Sequence, residues 1–234
     1  EVSIQGFNHF RGDRDFRVCK VGQKSGQAAA EGVVSASDCS GSASGGGGSI
    51  IYVRDYLRPL LIKEFNAPDS LALSIQTDIG DLIIACVYRT QALTDAQNKH
   101  LISSIKNLSK VNSEAEVLVV GDLNLPDVCW VSGTVEGPIG TSNKTLCLQQ
   151  LYMDFITEEG LTWHITDEKT RVRLVNGIVQ KSTLDQVLSS NSAIVNNISM
   201  LSPLGKSDHS IISVDLNVDV KKQKDFMKKD QTIL

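Results

Sequence analysis

The sequence has no apolar run long enough to cross a membrane. Its longest clearly apolar stretch, Leu82 to Tyr88, has seven residues, whereas a membrane-spanning helix needs about 20. No basic segment followed by an apolar leader opens the chain, which favours an intracellular protein. The five cysteines are odd in number and include no Cys-x-x-Cys pair, which argues against a zinc site or a disulfide scaffold.

The sequence also has no basic excess, and several catalytic motifs are missing. The net charge is −4, which argues mildly against a nucleic-acid binder but leaves room for a local basic groove. Neither Gly-x-Ser-x-Gly nor His-Glu-x-x-His occurs. The segment Gly205-Lys206-Ser207 is not a phosphate-binding P-loop, because Met200 stands where that motif needs its first glycine. A catalytic serine is not excluded by composition, although no serine has a supporting motif.

The patterned segments predict one α/β domain built as a two-sheet sandwich with flanking helices. A helix capped by Thr94 is expected to run to about Lys110, and a second helix is expected at Asn143–Glu159. We place the domain at 1–218, with a flexible Gly/Ser/Ala-rich insertion at 19–48 and a charged tail at 219–234. The predicted strands are Ser49–Arg54, Leu71–Thr77, Asp81–Arg89, Val117–Val120, Leu161–Thr166, Arg171–Val175, Ile178–Gln180, Leu184–Leu188, Asn197–Leu201 and Ser210–Val218.

Polar side chains follow the buried strand Val117–Val120. The strand leads into Gly121, Asp122 and, two residues later, Asn124. Glycine, aspartate and asparagine are also the usual residues of turns, so an ordinary turn is the alternative explanation. The other strand ends decide between a turn and a site.

Polar groups occur at several further strand ends. The oxygen atoms of carboxylate side chains are hard ligands that favour Mg²⁺ or Mn²⁺. A histidine beside such carboxylates can exchange a proton or contact a phosphate. If these ends converge, the residues suit metal-assisted hydrolysis of a phosphate ester. The additional groups are Tyr88, Asp185, Asp208 and His209.

These motifs, in this order, resemble the endonuclease/exonuclease/phosphatase superfamily, the fold of deoxyribonuclease I and the apurinic/apyrimidinic endonucleases. Gly121-Asp122-Leu123-Asn124 is similar to its Gly-Asp-x-Asn motif, and Ser207-Asp208-His209 to its C-terminal Ser-Asp-His motif. Leu184-Asp185 fits the strand that precedes the second motif. The resemblance implies a deoxyribonuclease I-like sandwich and a metal-dependent phosphodiesterase.

A narrower resemblance is to the endonuclease domain of non-LTR retrotransposons. It rests on Val87-Tyr88-Arg89, on Gly121 to Asp127 with Trp130, on Glu159-Gly160-Leu161 and on Thr170-Arg171. The opening segment from Gly6 through Arg14, followed by Gly45–Gly48 and Ile51-Tyr52-Val53, is also similar. That subgroup nicks target DNA ahead of a reverse transcriptase domain, which implies DNA as partner, no membrane and a nuclear site.

The resemblance implies a role for each matched residue. Asp122 would orient or deprotonate the attacking water and share the metal with Asp208, and Asn124 would hold the scissile phosphate. His209 would contact the phosphate with its ring oriented by Asp185, and Tyr88 would lie near the phosphate or the metal. Contacts to the nucleic-acid backbone are expected from Arg89, Thr170 and Arg171.

Two departures from the family pattern qualify the expected activity. The family begins with a strand carrying an Asn and a second strand ending in a metal-binding Glu, and no segment here matches them. Trp163 also stands where the subgroup often has Gln. The resemblance therefore implies an N-terminally truncated domain whose first strands are missing. An inactive remnant and a phosphatase acting on a small phosphoester stay open as alternatives to a DNA-nicking endonuclease.

Overall fold

The computed structural model describes residues 4–12, 18–20, 48–138 and 140–220. Most of the predicted insertion at 19–48, and the predicted tail from residue 221 onward, lie outside these residues. The elements are β1 (Phe7–Gly12), β2 (Val18–Lys20), β3 (Ser49–Arg54), β4 (Leu60–Leu61), β5 (Leu71–Thr77), β6 (Gly80–Tyr88), α1 (Asp95–Val111), β7 (Glu116–Asp122), β8 (Val128–Cys129), β9 (Thr134–Val135), α2 (Asn143–Glu158), β10 (Thr162–Trp163), β11 (Arg171–Val175), β12 (Ile178–Ser182), β13 (Asp185–Ser189), β14 (Val195–Leu201) and β15 (Ile211–Leu216).

A six-stranded sheet in the order β10-β13-β7-β6-β5-β4 forms the centre of the domain. Strands β6 and β7 are parallel because α1 connects them, and the other neighbours are antiparallel. Alternate residues of β6 enter different apolar clusters. Ile83, Ala85 and Val87 join one cluster, whereas Leu82 and Ile84 contribute to the opposite face. The sheet is therefore covered on both faces.

Helices α1 and α2 cover one face of this sheet. Leu101, Ile105 and Leu108 of α1 pack with Phe155 and Ile156 of α2 in the largest buried cluster. A capping box begins α1, since the Thr94 hydroxyl accepts from the Gln97 amide while the Gln97 side chain accepts from the Thr94 amide. The sequence predictions of both helices are confirmed to within one residue at each end.

Smaller sheets cover the opposite face. The β2-β1-β3 sheet packs Phe10 and Val53 against β5, and the β14–β15 pair closes over Leu118 and Val187. Two layers of sheet with helices on the outside confirm the predicted sandwich. None of the described helices has the length and apolar character needed to cross a membrane.

Some predicted boundaries were wrong. The segment Leu161–Thr166 contributes only Thr162–Trp163 as strand, whereas the strand predicted at Val117–Val120 continues to Asp122. The first residues of the predicted tail contact the sheet, because Val220 bridges to Thr77 and the Asp219 amide donates to the Asp78 carboxylate at 2.7 Å. The sheet contacts of the domain thus extend to residue 220.

Candidate active site

Three neighbouring strands place polar side chains in one row, at the ends of β6 and β7 and at the start of β13. In the sheet register Tyr88 of β6 lies opposite Asp122 of β7, and Asp122 lies opposite Asp185 of β13. Directly paired residues project from the same face of a sheet. Because Val120 and Val187 lie two residues from the carboxylates and pack toward β14 and β15, this row faces that side of the central sheet.

Gly121 allows β7 to lie close to β6 just before the carboxylate. Its φ of +134° lies in a region that side chains rarely adopt, and a Cβ atom there would overlap the carbonyl oxygen of Val87. The glycine of the Gly-Asp-x-Asn motif is therefore a packing requirement. It lets Asp122 stay in register with Tyr88.

Gly121→Ala is expected to destabilise the fold by about 2–5 kcal/mol, since it adds an overpacked methyl group to an unfavourable φ. Gly80→Ala is the matched control, because Gly80 has a similar φ of +124° and a Cβ atom there would lie 3.8 Å from the Glu114 carbonyl oxygen, which is ordinary contact. Urea unfolding of both variants separates the cost of the steric overlap with Val87 from the cost of placing a side chain at a positive φ. Equal losses in the two variants would contradict the packing explanation.

The turn after Asp122 is fixed by its own polar atoms. The Asn124 amide donates to Asp122 Oδ1 at 2.8 Å, and the Leu123 amide donates to the Leu184 carbonyl at 3.0 Å. Asn124 has a φ of +50°, a left-handed conformation that asparagine tolerates better than most residues. Gln91 Nε2 donates to Asn124 Oδ1 at 3.2 Å. The segment is thus a turn, and the same turn carries the motif's two polar side chains.

His209 reaches this row from the loop before β15. Its Nδ1 lies 2.8 Å from Asp185 Oδ2, and the backbone of Arg171 bridges to that of His209. One ligand atom from each of Asp122, Asp185 and His209 lies within 4.8 Å of the others. The structure therefore brings together two carboxylates and an imidazole that lie in widely separated parts of the sequence.

The electrostatics of this cluster suit a cation. Burial and the nearby Asp185 carboxylate raise the pKa of Asp122 to about 6, against partial compensation by His209. A divalent ion would favour the ionised form of a carboxyl group whose pKa is raised by burial and by a second carboxylate. Carboxylate oxygens together with one imidazole nitrogen are a common set of ligands for such ions. The residues present therefore fit a divalent metal.

Asp208 pairs with Arg171 beside this three-residue cluster. Its Oδ2 accepts from Arg171 Nε at 2.7 Å, and its side chain is 41% exposed. This hydrogen bond lowers the pKa of Asp208, so the group stays ionised. Among the described residues, Asp208 is not part of the group of ligand atoms formed by Asp122, Asp185 and His209. Its expected role at the metal is supported only by its position next to His209 in the sequence.

Two of the three residues expected to contact nucleic acid have buried side chains. Arg89 is 3% exposed and Thr170 is 0% exposed. The Thr170 hydroxyl accepts from the Leu184 and Asp185 amides at 3.0 and 3.1 Å, which anchors the start of β13. Arg171 is partly exposed beside Asp208, so of the three residues it alone can reach a backbone phosphate. Tyr88 is half-buried at the end of β6.

Sequence reasoning missed the partners that hold these groups. Nothing in the spacing of Arg171 and Asp208 indicates their ion pair, and Gln91 lies in a segment without a motif. Arg89 follows directly after an apolar strand, a position at which a charged residue is typically exposed. Only tertiary contacts show that this strand end is covered.

A family model described as "Endonuclease-reverse transcriptase" matches residues 82–213, more than half of the chain. Among solved structures, the endonuclease domain of TRAS1, a telomere-specific non-LTR retrotransposon, is similar with a TM-score of 0.58 at 15% identity, covering 94% of this chain and 82% of that one. The Xenopus laevis APE2 catalytic domain is similar with a TM-score of 0.50 at 14% identity, covering 94% and 79%. These structures share the fold.

No curated protein sequence matches significantly. The family match includes Tyr88, Asp122, Asn124, Asp185 and His209. The fold is that of the deoxyribonuclease I-like proteins. The chain belongs to the endonuclease-reverse transcriptase family of the endonuclease/exonuclease/phosphatase superfamily.

Proposed function

We propose that this chain is a divalent-metal-dependent endonuclease that nicks DNA, as the retrotransposon type does. Family and fold support hydrolysis of phosphodiesters. The observation that carries the proposal is the convergence of Asp122, Asp185 and His209 within 4.8 Å beside the Asn124 turn. Carboxylates, an imidazole and a carboxamide at one sheet edge are the groups that phosphate-ester hydrolysis needs.

Asp122 and Asp208 are the proposed holders of Mg²⁺ or Mn²⁺, with the rest of the acidic cluster alongside. A divalent cation, when bound, supplies Lewis-acid neutralisation of the phosphate charge. Asp122 also orients the attacking water and accepts its proton. Burial and Asp185 raise the pKa of Asp122 to about 6 in the metal-free site, and a bound cation would lower it again by favouring the ionised carboxylate.

Asn124 and His209 bind the phosphate in this proposal. The hydrogen bond from Gln91 engages Asn124 Oδ1, which leaves the Nδ2 group to donate to a phosphate oxygen. Asp185 Oδ2 lies 2.8 Å from His209 Nδ1, which fixes the ring, so Nε2 is the nitrogen left to contact the phosphate. Tyr88, in the same row, lies near the phosphate or the metal.

The β11–β12 hairpin supports DNA as substrate. It begins at Arg171 beside Asp208 and carries the further basic residues Arg173 and Lys181, both exposed. Side chains of this kind are common partners of phosphates. The hairpin would place positive charge next to the hydrolytic cluster, which offsets the chain's overall charge of −4. The family description supports a reverse transcriptase domain as partner. With chromosomal DNA as the target, the proposed place of action is the nucleus.

Nicking of supercoiled plasmid tests this proposal. The wild-type chain is expected to convert plasmid to the open circular form with Mg²⁺ and not with EDTA. Asp208→Ala should lower the nicking rate by about 10²-fold or more, because it removes a proposed metal ligand and leaves Arg171 unpaired beside the site. Asp215→Ala, an exposed change on β15, is the matched control and should nick like wild type.

Three other outcomes would contradict parts of the proposal. Nicking that persists in Asp208→Ala would remove Asp208 from the site. A folded wild-type chain that does not nick, yet releases phosphate from a small phosphoester with Mg²⁺, would replace the nuclease by a phosphatase. A folded chain inactive on both substrates would be the inactive remnant.

A further inference from the structure

The Arg89 guanidinium is a buried charge in the hydrolytic domain. The side chain is 3% exposed, and no carboxylate of the described residues lies within ion-pair distance of it. Burial of a charged group is costly unless hydrogen bonds satisfy it. The hydrogen-bond donors of Arg89 therefore need acceptors within the protein.

The donors of Arg89 bind the turn formed by residues 122–124 of the Gly-Asp-x-Asn motif. Arg89 Nη1 donates to the carbonyl oxygens of both Leu123 and Asn124, at 3.2 and 2.8 Å. The Arg89 backbone amide also donates to the Asp122 carbonyl at 2.8 Å. One residue therefore binds three successive carbonyls of the segment that carries Asp122 and Asn124. Hydrogen bonds from a charged donor are stronger than neutral ones.

The turn is held from its other side by different atoms. The amides of Leu123 and Asn124 donate to the Leu184 carbonyl at 3.0 and 3.3 Å. With its carbonyls bound by Arg89 and its amides bound by Leu184, the turn has little freedom to rotate its peptide planes. This matters for Asn124, whose left-handed φ of +50° is a conformation that the surroundings must maintain.

A buried polar triad fixes the guanidinium itself. Arg89 Nε donates to Asn98 Oδ1 at 2.9 Å, and the Tyr152 hydroxyl donates to the same oxygen at 2.9 Å. The guanidinium carbon lies 5.1 Å from the centre of the Tyr152 ring. Burial raises the pKa of Tyr152 to about 12, so its hydroxyl keeps the proton it donates. Asn98 belongs to α1 and Tyr152 to α2, so both helices orient Arg89.

We propose that Arg89 is a positioning residue for hydrolysis: it fixes the backbone of the 122–124 turn so that the Asp122 carboxylate and the Asn124 carboxamide keep their places. It touches no substrate, since it is covered by α1, α2 and the turn. The kinetic consequence rests on the proposed function, whereas the effect on the turn does not. Hydrogen exchange and kinetics separate the two.

Amide hydrogen exchange measured by NMR tests the effect on the turn directly. In Arg89→Met, exchange at the Leu123 and Asn124 amides is expected to rise about tenfold or more relative to the Val119 amide in the preceding strand β7. Arg89→Lys should fall between Arg89→Met and wild type, because it keeps the charge and loses the planar fork. This readout needs no activity, so it decides the inference even if the chain hydrolyses nothing.

Kinetics test the consequence for the reaction. Misplacement of a reacting group by about 1 Å can cost 10²-fold in rate, so kcat for Arg89→Met is expected to fall by about that factor while KM changes by less than about threefold. Leu108→Ala is the control, since it removes core packing of α1 about 15 Å along the helix from Asn98. It should lower the melting temperature and leave kcat and turn exchange unchanged.

Tyr152→Phe covers the case in which the Arg89 variants do not fold. It removes only the hydroxyl that shares Asn98 Oδ1 with Arg89 and keeps the ring beneath the guanidinium. Turn exchange should rise about two- to fivefold in this variant. Unchanged exchange at Leu123 and Asn124 in the folded Arg89 variants, or in Tyr152→Phe if those do not fold, would overturn the inference. Slowed kcat without faster exchange would overturn it as well.

Discussion

Asp122→Asn is expected to abolish most hydrolysis while making the metal-free protein more stable. Loss of a general base and metal-binding carboxylate should lower kcat by about 10²–10⁴-fold. The same carboxylate is unfavourable in the metal-free fold, because burial and Asp185 raise its pKa to about 6. Asparagine keeps an oxygen that can accept the hydrogen bond from the Asn124 amide. Activity and stability should therefore move in opposite directions.

The sign of the pH dependence follows from the direction of this shift. The Asp122 pKa is about 6 in the fold, raised from 3.8, so between these values the folded state binds the proton more tightly than the unfolded chain. The stability contributed by the protonated carboxyl is lost as pH rises through about 6. Asp208 has a lowered pKa and stays ionised across this range. Asp122→Asn has no carboxyl group to ionise here, so it avoids the loss of folding stability that the wild type shows above pH 6.

Thermal unfolding in EDTA between pH 5 and 8 measures this effect. At pH 8 the melting temperature of Asp122→Asn should exceed that of wild type by about 2–4 °C for each kcal/mol recovered, and the gap should narrow toward pH 5. Mg²⁺ should raise the melting temperature of wild type more than that of the variant. Asp154→Asn, on the exposed side of α2, is the control and should show neither trend. A less stable Asp122→Asn protein at pH 8 would contradict the assigned electrostatics.

The central strands and both helices could be predicted because each carries its own local signal. The apolar runs of β5 and β7 are bounded by turn residues, and Thr94 with Gln97 marks the start of α1. The two polar clusters of the site were visible for a related reason. Each directly adjoins an apolar strand, with Asp122 at the end of β7 and His209 shortly before β15.

The surroundings of the site could not be predicted because they depend on contacts between distant segments. Whether Arg89 lies in solvent or under two helices is decided by Asn98 and Tyr152, and these two residues are themselves 54 positions apart in the sequence. Thr170 is polar and follows a charged loop, yet it is buried because its hydroxyl satisfies two amides at the start of β13. Such satisfied buried polar groups leave no pattern in the sequence.

His209 and Asp185 are expected to act as one unit, which gives the second large effect. His209→Gln should lower kcat by about 10²–10⁴-fold, since it removes the proposed imidazole contact to the phosphate. Asp185→Asn should cost about 10–10²-fold, because it weakens the orientation of a ring that is still present. Asp185 has a side-chain exposure of 16% and lies in register with Asp122, so asparagine keeps its packing.

The double variant distinguishes a unit from two independent residues. If Asp185 acts through His209 Nδ1, at 2.8 Å, then adding Asp185→Asn to His209→Gln should cost less than about threefold further. Independent roles would instead multiply the two losses. A full multiplicative loss would mean that Asp185 serves the reaction through the metal or through Asp122, the other group to which the structure brings it close. Single-turnover nicking of plasmid in saturating Mg²⁺ measures all three variants on one scale, and melting temperatures measured beside it show that each remains folded. Asp185 lies close to both His209 and Asp122. This double-variant cycle therefore tests whether Asp185 serves the reaction by orienting the His209 ring or by binding the ion.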